Sequence, residues 1–196
     1  MLRPIRISPA AAKPVSLEEA RAHLRVDVDD ENTLITALID AATSYLDGWS
    51  GVLGRCLINQ VWMQSFSDWP DCRSVRLPFP DVSAATVKFF DADNVEQTVS
   101  ASLFERFEDE RGTIIRFRDE FTYPTVFDDR RDGVRVEFTA GYGASATDVP
   151  TAVRHAMLLM IGHWYENRES VVIGNAPEAL PLAFDALVAP FRRVGI

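Results

Sequence analysis

Lysine is nearly missing: Lys13 and Lys88 are the only two in 196 residues, and every other basic side chain is arginine. With a formal net charge of −9, the chain lacks the clustered cations that phosphate contacts need, which argues against free binding to nucleic acid. No apolar run approaches the roughly 20 residues required to cross a bilayer. The start, Met1-Leu2-Arg3-Pro4-Ile5-Arg6, is basic but has no apolar stretch behind it, so no signal peptide is expected. Cysteine is scarce as well. Cys56 and Cys72 read as reduced thiols of a cytosol-made protein, a disulfide between them staying open on sequence alone. No further ligands cluster near them to make a metal site. Ser–His–Asp order, Gly-x-Ser-x-Gly, P-loop and dinucleotide fingerprint are all missing, and no cofactor is implied. Gly141-Tyr142-Gly143 is too short for a phosphate loop and reads as a bend at a strand end.

What is present is an ordinary globular balance, 47% hydrophobic and 25% charged, enough for a core without disulfide or metal staples. Pro4, Pro9 and Pro14 make residues 1–15 an extended arm. Ser16-Leu17-Glu18-Glu19 is a capping box opening a short helix to Leu24. The acidic stretch from Asp27 to Glu31 starts a second helix carrying Leu34, Ile35, Leu38, Ile39, Ala42, Tyr45 and Leu46, closed by Gly48 and Gly51. From Leu57 the period changes. Residues 58–66, 87–90, 103–107, 113–117 and 134–138 predict about five or six strands. In the last of these, Val134, Val136 and Phe138 alternate with Arg135 and Glu137, as in a sheet with one wet face. After Asp148 and Pro150, the strongest helix places Val153, Ala156, Met157, Met160, Ile161, Trp164 and Tyr165 at three- and four-residue steps. Residues 174–181 read as a loop, and Leu182 to Arg193 as a short helix disturbed near Pro190.

Neither helical pair can bury its apolar stripe alone. The expected fold is therefore α+β: a helical bundle formed by the N- and C-terminal helices, residues 16–52 and 148–196, with an antiparallel β region inserted at 53–147. No internal repeat interrupts this plan.

Few groups suggest chemistry. His163 and Glu166 share a helical face at a metal-binding spacing, but no third or fourth ligand is placed. Glu105, Glu108, Asp109 and Glu110 could supply a glycosidase-like acid pair, yet acid runs between strands are usually solvated turns. The first two helices resemble a helix-turn-helix only in outline, since the second is acidic at its start and carries no Arg or Lys through Asp47.

Several segments together resemble phage head–tail connector (adaptor) proteins, including those of gene-transfer particles. They are Pro14-Val15-Ser16-Leu17-Glu18-Glu19-Ala20 with Leu24-Arg25-Val26 and Asp29-Asp30, then Gly141-Tyr142-Gly143 and Asp148-Val149-Pro150. His163-Trp164-Tyr165-Glu166-Asn167-Arg168-Glu169, Leu180-Pro181 and Ala189-Pro190-Phe191-Arg192 complete the series. The resemblance implies a structural, non-enzymatic subunit of a homo-oligomeric ring of about twelve copies, closed by head-to-tail contacts. That ring would sit between the portal protein and a stopper or other tail-side protein, in the neck of a virion or phage-like particle assembled in a bacterial cytoplasm. Genome DNA would pass its channel without specific binding, and no membrane is involved. Glu166, Arg168 and Glu169 are candidate subunit contacts, and Phe191, Arg192 and Arg193 a candidate portal-docking tail. The alternative from another class is a DNA-packaging or DNA-binding accessory protein of the same phage module.

Overall fold

The computed structural model describes residues 2–109, 111–168 and 182–193. They fall into two compact units, Met1–Ala11 with Asn59–Tyr142, and Ala12–Ile58 with Gly143–Ile196. The class is α+β with antiparallel sheets.

The first unit holds strands β1 (Ile5–Ser8), β2 (Gln60–Phe66), β3 (Ser74–Arg76), β4 (Val82–Phe90), β5 (Glu96–Thr98), β6 (Phe104–Asp109), β7 (Gly112–Phe117) and β8 (Val134–Ala140). One antiparallel sheet runs β1-β2-β8-β4-β5, and a second runs β3-β7-β6. The central strand β8 alternates as its sequence demands: Val134, Val136 and Phe138 are buried, while Arg135 and Glu137 are half-exposed. Its neighbours hold the register, with Trp62 of β2 and Ala85 of β4 both opposite Phe138. Phe79 packs its ring 4.8 Å from Trp62 and 6.2 Å from Phe138. A second aromatic cluster surrounds Trp69, whose ring centroid lies 5.3 Å from Phe89, 5.5 Å from Phe117, 5.4 Å from Phe121 and 5.0 Å from Tyr123. The Trp69 indole N–H is satisfied by Pro124 O at 2.8 Å.

The second unit holds α1 (Leu17–Leu24), α2 (Asn32–Leu46), α3 (Thr151–Glu166) and α4 (Leu182–Val188), the last followed by a 3₁₀ turn over Ala189–Phe191. Helix α1 starts on the full capping box: Glu19 N–H donates to Ser16 Oγ at 3.1 Å and Ser16 N–H donates to Glu19 Oε2 at 3.0 Å. Helix α2 buries Ile35, Ile39, Ala42 and Leu46, and α3 buries Val153, Ala156, Met157, Met160 and Ile161. These stripes let α3 pack against α1, α2 and α4. Each fully covered aliphatic side chain contributes about 1.5–3 kcal/mol.

The structure departs from the sequence reading in four places. Among the described residues eight strands form, not five or six: β1, β3 and β5 are only three or four residues long, too short to show a period. The N-terminal arm is extended but is an edge strand of the sheet, because Leu2 N–H donates to Ser65 O and the buried Gln64 amide donates to Leu2 O. The first helix is accordingly internal, and the boundary between units falls after Ala11. The acids expected in a turn instead lie on a strand, β6, which pairs along its whole length with β7. Cys56 is buried and Cys72 exposed, both as free thiols.

Candidate functional site

The acid-rich strand β6 shows how its carboxylates are used. Glu105 meets Arg116 at 3.0 Å, and Glu108 accepts from the Thr113 hydroxyl at 2.8 Å. Asp109 takes a two-pronged hydrogen bond from Arg76, 2.6 Å on each oxygen. That bond, ahead of the Arg111 backbone N–H, holds the Asp109 carboxyl down at about 2. A permanently ionised, cross-strand-paired acid cannot donate a proton near neutrality, so Asp109 suits a strut better than an acid catalyst. Glu110 lies outside the described residues. Among the described residues, no three of His, Cys, Asp and Glu converge to hold a metal ion. His163, paired with Glu166 on sequence grounds, contacts Asn167 instead.

The His163–Glu169 run has a different use. Helix α3 ends there, with Asn167 N–H and its side-chain amide both donating to His163 O, at 3.0 and 2.9 Å. Its last turn and the residues just after it reach across to the N-cap of α2, Glu31. The Tyr165 hydroxyl donates to Glu31 Oε2, and Arg168 Nη2 donates to Glu31 Oε1 at 2.8 Å. The Arg168 guanidinium also lies 4.8 Å from the Tyr165 ring centroid, facing it. Tyr165 first, and Arg168 second, hold the Glu31 carboxyl below its ordinary value of 4.5. Near the other end of α3, Arg154 pairs with Glu19, the same glutamate that caps α1. The Ser16 backbone N–H and then Arg154 depress the Glu19 carboxyl against a desolvation that raises it. One helix is thus pinned to two others by carboxylates 12 residues apart in the chain (Glu19 and Glu31), each sitting at a helix start where negative charge is favoured.

Of the residues singled out by sequence, Arg168 is spent on this intramolecular clasp, although half its side chain remains exposed. Glu166 is exposed, and Glu169 lies outside the described residues. Phe191 is half-buried in the 3₁₀ turn. Arg192 pairs with Asp185 at 2.7 Å, and Arg193 N–H donates to Leu53 O at 2.9 Å. The chain end as far as Arg193 is therefore laid along its own unit, where Gly54 (φ +63) leaves room for the Arg193 side chain. Glu19, Glu31 and Arg154 were missed as a set. The capping box marked Glu19 only as a local cap, and Glu31 was one acid among several. Only the packing of α3 showed where their free oxygens point.

Three solved structures share the fold over 100% of this chain and 97% of theirs. One belongs to the virion of a native gene transfer agent particle, at 24% identity and a TM-score of 0.79. Another is in the neck of an empty particle of that kind computed with C6 symmetry, at 24% and 0.77. The third is in the neck of a native particle computed with C12 symmetry, at 21% and 0.70. No curated protein sequence matches. Residues 14–125, from just before the capping box through the aromatic cluster, match the model of one protein family, and on that match the chain belongs to the phage gp6-like head-tail connector proteins.

Proposed function

We propose that this chain is a structural subunit of a ring seated between portal and tail, with the genome passing through its channel, in the neck of a phage or gene-transfer particle. It works by shape and assembly rather than by catalysis. The observation that carries the reading is the family match over residues 14–125, joined to a fold shared across the whole chain with proteins of particle necks. Those neck structures carry sixfold and twelvefold symmetry, which favours a ring of about twelve copies here.

Helices α1 to α4 of the second unit would form the connector core, a bundle stiffened by the Glu19–Arg154 and Glu31–Tyr165–Arg168 contacts. A subunit that must hold its place while DNA moves past gains from charges fixed on its own helices. The net charge of −9 suits a bore lined by Asp and Glu, because like charge keeps DNA sliding rather than sticking. The last turn, with Phe191, Arg192 and Arg193, faces the portal in this reading, and Glu166, Arg168 and Glu169 face a neighbouring copy.

The test is an electron-microscopy reconstruction of assembled particles with the chain traced at the neck, paired with particles made without it. Heads that fill with DNA but carry no tails are the expected result of its removal. Normal tailed particles lacking the chain would refute the assignment. An enzyme or DNA-binding role would instead leave neck density unchanged.

A further inference from the structure

Two exposed patches on this chain carry opposite charge around an apolar centre. The first is β1, the outermost strand of the five-stranded sheet, all four of whose residues are exposed. Ile5 and Ile7 are 56% and 50% exposed. Arg3 precedes them and Arg6 lies between them, opposite Trp62 and so on the other face of the strand from Ile5, which lies opposite Met63; among the described residues neither arginine has a carboxylate within ion-pair distance. The second patch is the connection between α1 and α2. There Val28 is 58% exposed, between Asp27 on one side and Asp29 and Asp30 on the other. Asp29 is held by Arg21 at 2.5 Å, whereas the carboxylates of Asp27 and Asp30 have no cation among the described residues.

A closed ring needs two different, mutually complementary patches on each copy. We propose that the free edge of β1 of one copy docks on the α1–α2 connection of the next copy, Ile5 and Ile7 covering Val28 while Arg3, and Arg6 reaching round the strand edge from its other face, meet Asp27 and Asp30. The proposal rests on the ring reading above and names its contact. Charge sets the polarity: either patch meeting its own kind would bring like charges together, so copies join head to tail. Pro4 and Pro9 flank the strand and the register shifts between Arg6 and Ser8, which hinders continuous backbone pairing along this edge. Side chains, not an added strand, therefore make the contact.

The test uses the full chain with exposed Cys72 changed to serine, so that Cys56, which is buried, is the only native thiol left. Ile5→Cys and Val28→Cys together, under mild oxidation, are expected to give a ladder of cross-linked multimers, while either alone stops at dimers. Ile5→Cys with Val95→Cys, a residue 52% exposed on another connection, is the control. A ladder no longer than the control's overturns the proposal. Independently, Arg3→Glu with Arg6→Glu, or Asp27→Arg with Asp30→Arg, should weaken self-association in sedimentation at least about tenfold, and all four changes together should restore it. Loss in both pairs without restoration means the patches meet some other molecule, and overturns it too. Wild-type rings indifferent to every change reject this contact and leave the connector reading standing. A wild-type chain that never joins particle necks removes the connector reading, and this contact with it.

Discussion

Glu31 sits where three constraints meet: the N-cap of α2, the hydroxyl of Tyr165 and the guanidinium of Arg168. Its carboxyl is held below 4.5, as is that of Glu19, while Asp109 is held down at about 2 from 3.8. A carboxyl depressed in the folded state contributes stability that is present above its unfolded value and lost as pH falls through its folded one. Thermal unfolding should therefore hold steady from neutrality down to about pH 4.5, then fall as the solution is acidified further. Glu31→Gln should flatten the upper part of that decline. Asp109→Asn should flatten the part extending towards pH 2, measured by calorimetry across the range. Because these groups lie at the surface, 0.5 M salt should shrink the effect. An acid limb unchanged in both variants would show that the clasp contributes nothing to folding.

At the scale of the element, helix ends decide more than helix middles. Ser16→Ala removes one half of the α1 capping box and should cost about 1 kcal/mol in urea unfolding. It also leaves the Glu19 backbone N–H without its acceptor and loosens the turn that positions the Glu19 carboxylate, so part of the loss should be non-additive with Arg154→Ala in a double-mutant cycle. The turn after α2 is tighter still. A Cβ at Gly51 would run into the backbone carbonyls of Leu46 and Asp47, which cannot rotate away. Gly51→Ala should displace the loop that carries Leu53, and with it the anchor for Arg193. The expected signature is a lower Tm together with faster proteolysis after Arg192 or Arg193. In the sheet, β8 pairs on both edges, so Phe138→Ala both empties core volume against Phe79 and loosens two ladders. A loss of about 3–5 kcal/mol is expected, against near neutrality for Thr98 on the short outer strand β5.

For the whole molecule, charge and assembly dominate. A chain of net charge −9, in which Arg76, Arg116, Arg130, Arg135, Arg154 and Arg168 are paired with Asp109, Glu105, Glu96, Asp132, Glu19 and Glu31, has an unfavourable balance for binding phosphate. Fluorescence anisotropy with a labelled duplex should show no salt-dependent binding at physiological ionic strength. A log–log salt slope as steep as several phosphate contacts produce would favour the DNA-binding alternative instead. The family match ends at residue 125, yet α3 beyond it, with Arg168 just after its end, supplies Arg154, Tyr165 and Arg168, the partners that α1 and α2 require. Truncation at residue 142 should consequently leave α1 and α2 without a packed stripe and yield an insoluble or molten chain.

The linear sequence settled whatever depends on neighbours close along the chain. The capping box at Ser16, the apolar stripes of α2 and α3, the alternation of β8 and the shortage of lysine all express local geometry or simple composition, and so did the likeness to head–tail connectors. It could not settle which distant groups would share a hydrogen bond. Glu31 reads as one acid in a solvated run, and Arg168 as a free interface cation, until a chain separation of 137 positions is folded back and brings them within 2.8 Å. Short strands such as β1 and β5 were equally silent, because three or four residues carry too little pattern, and their place is set by the neighbour that supplies the other half of each hydrogen bond. Periodicity records burial, which each residue experiences alone; pairing belongs to two residues at once, and only the folded chain chooses the second.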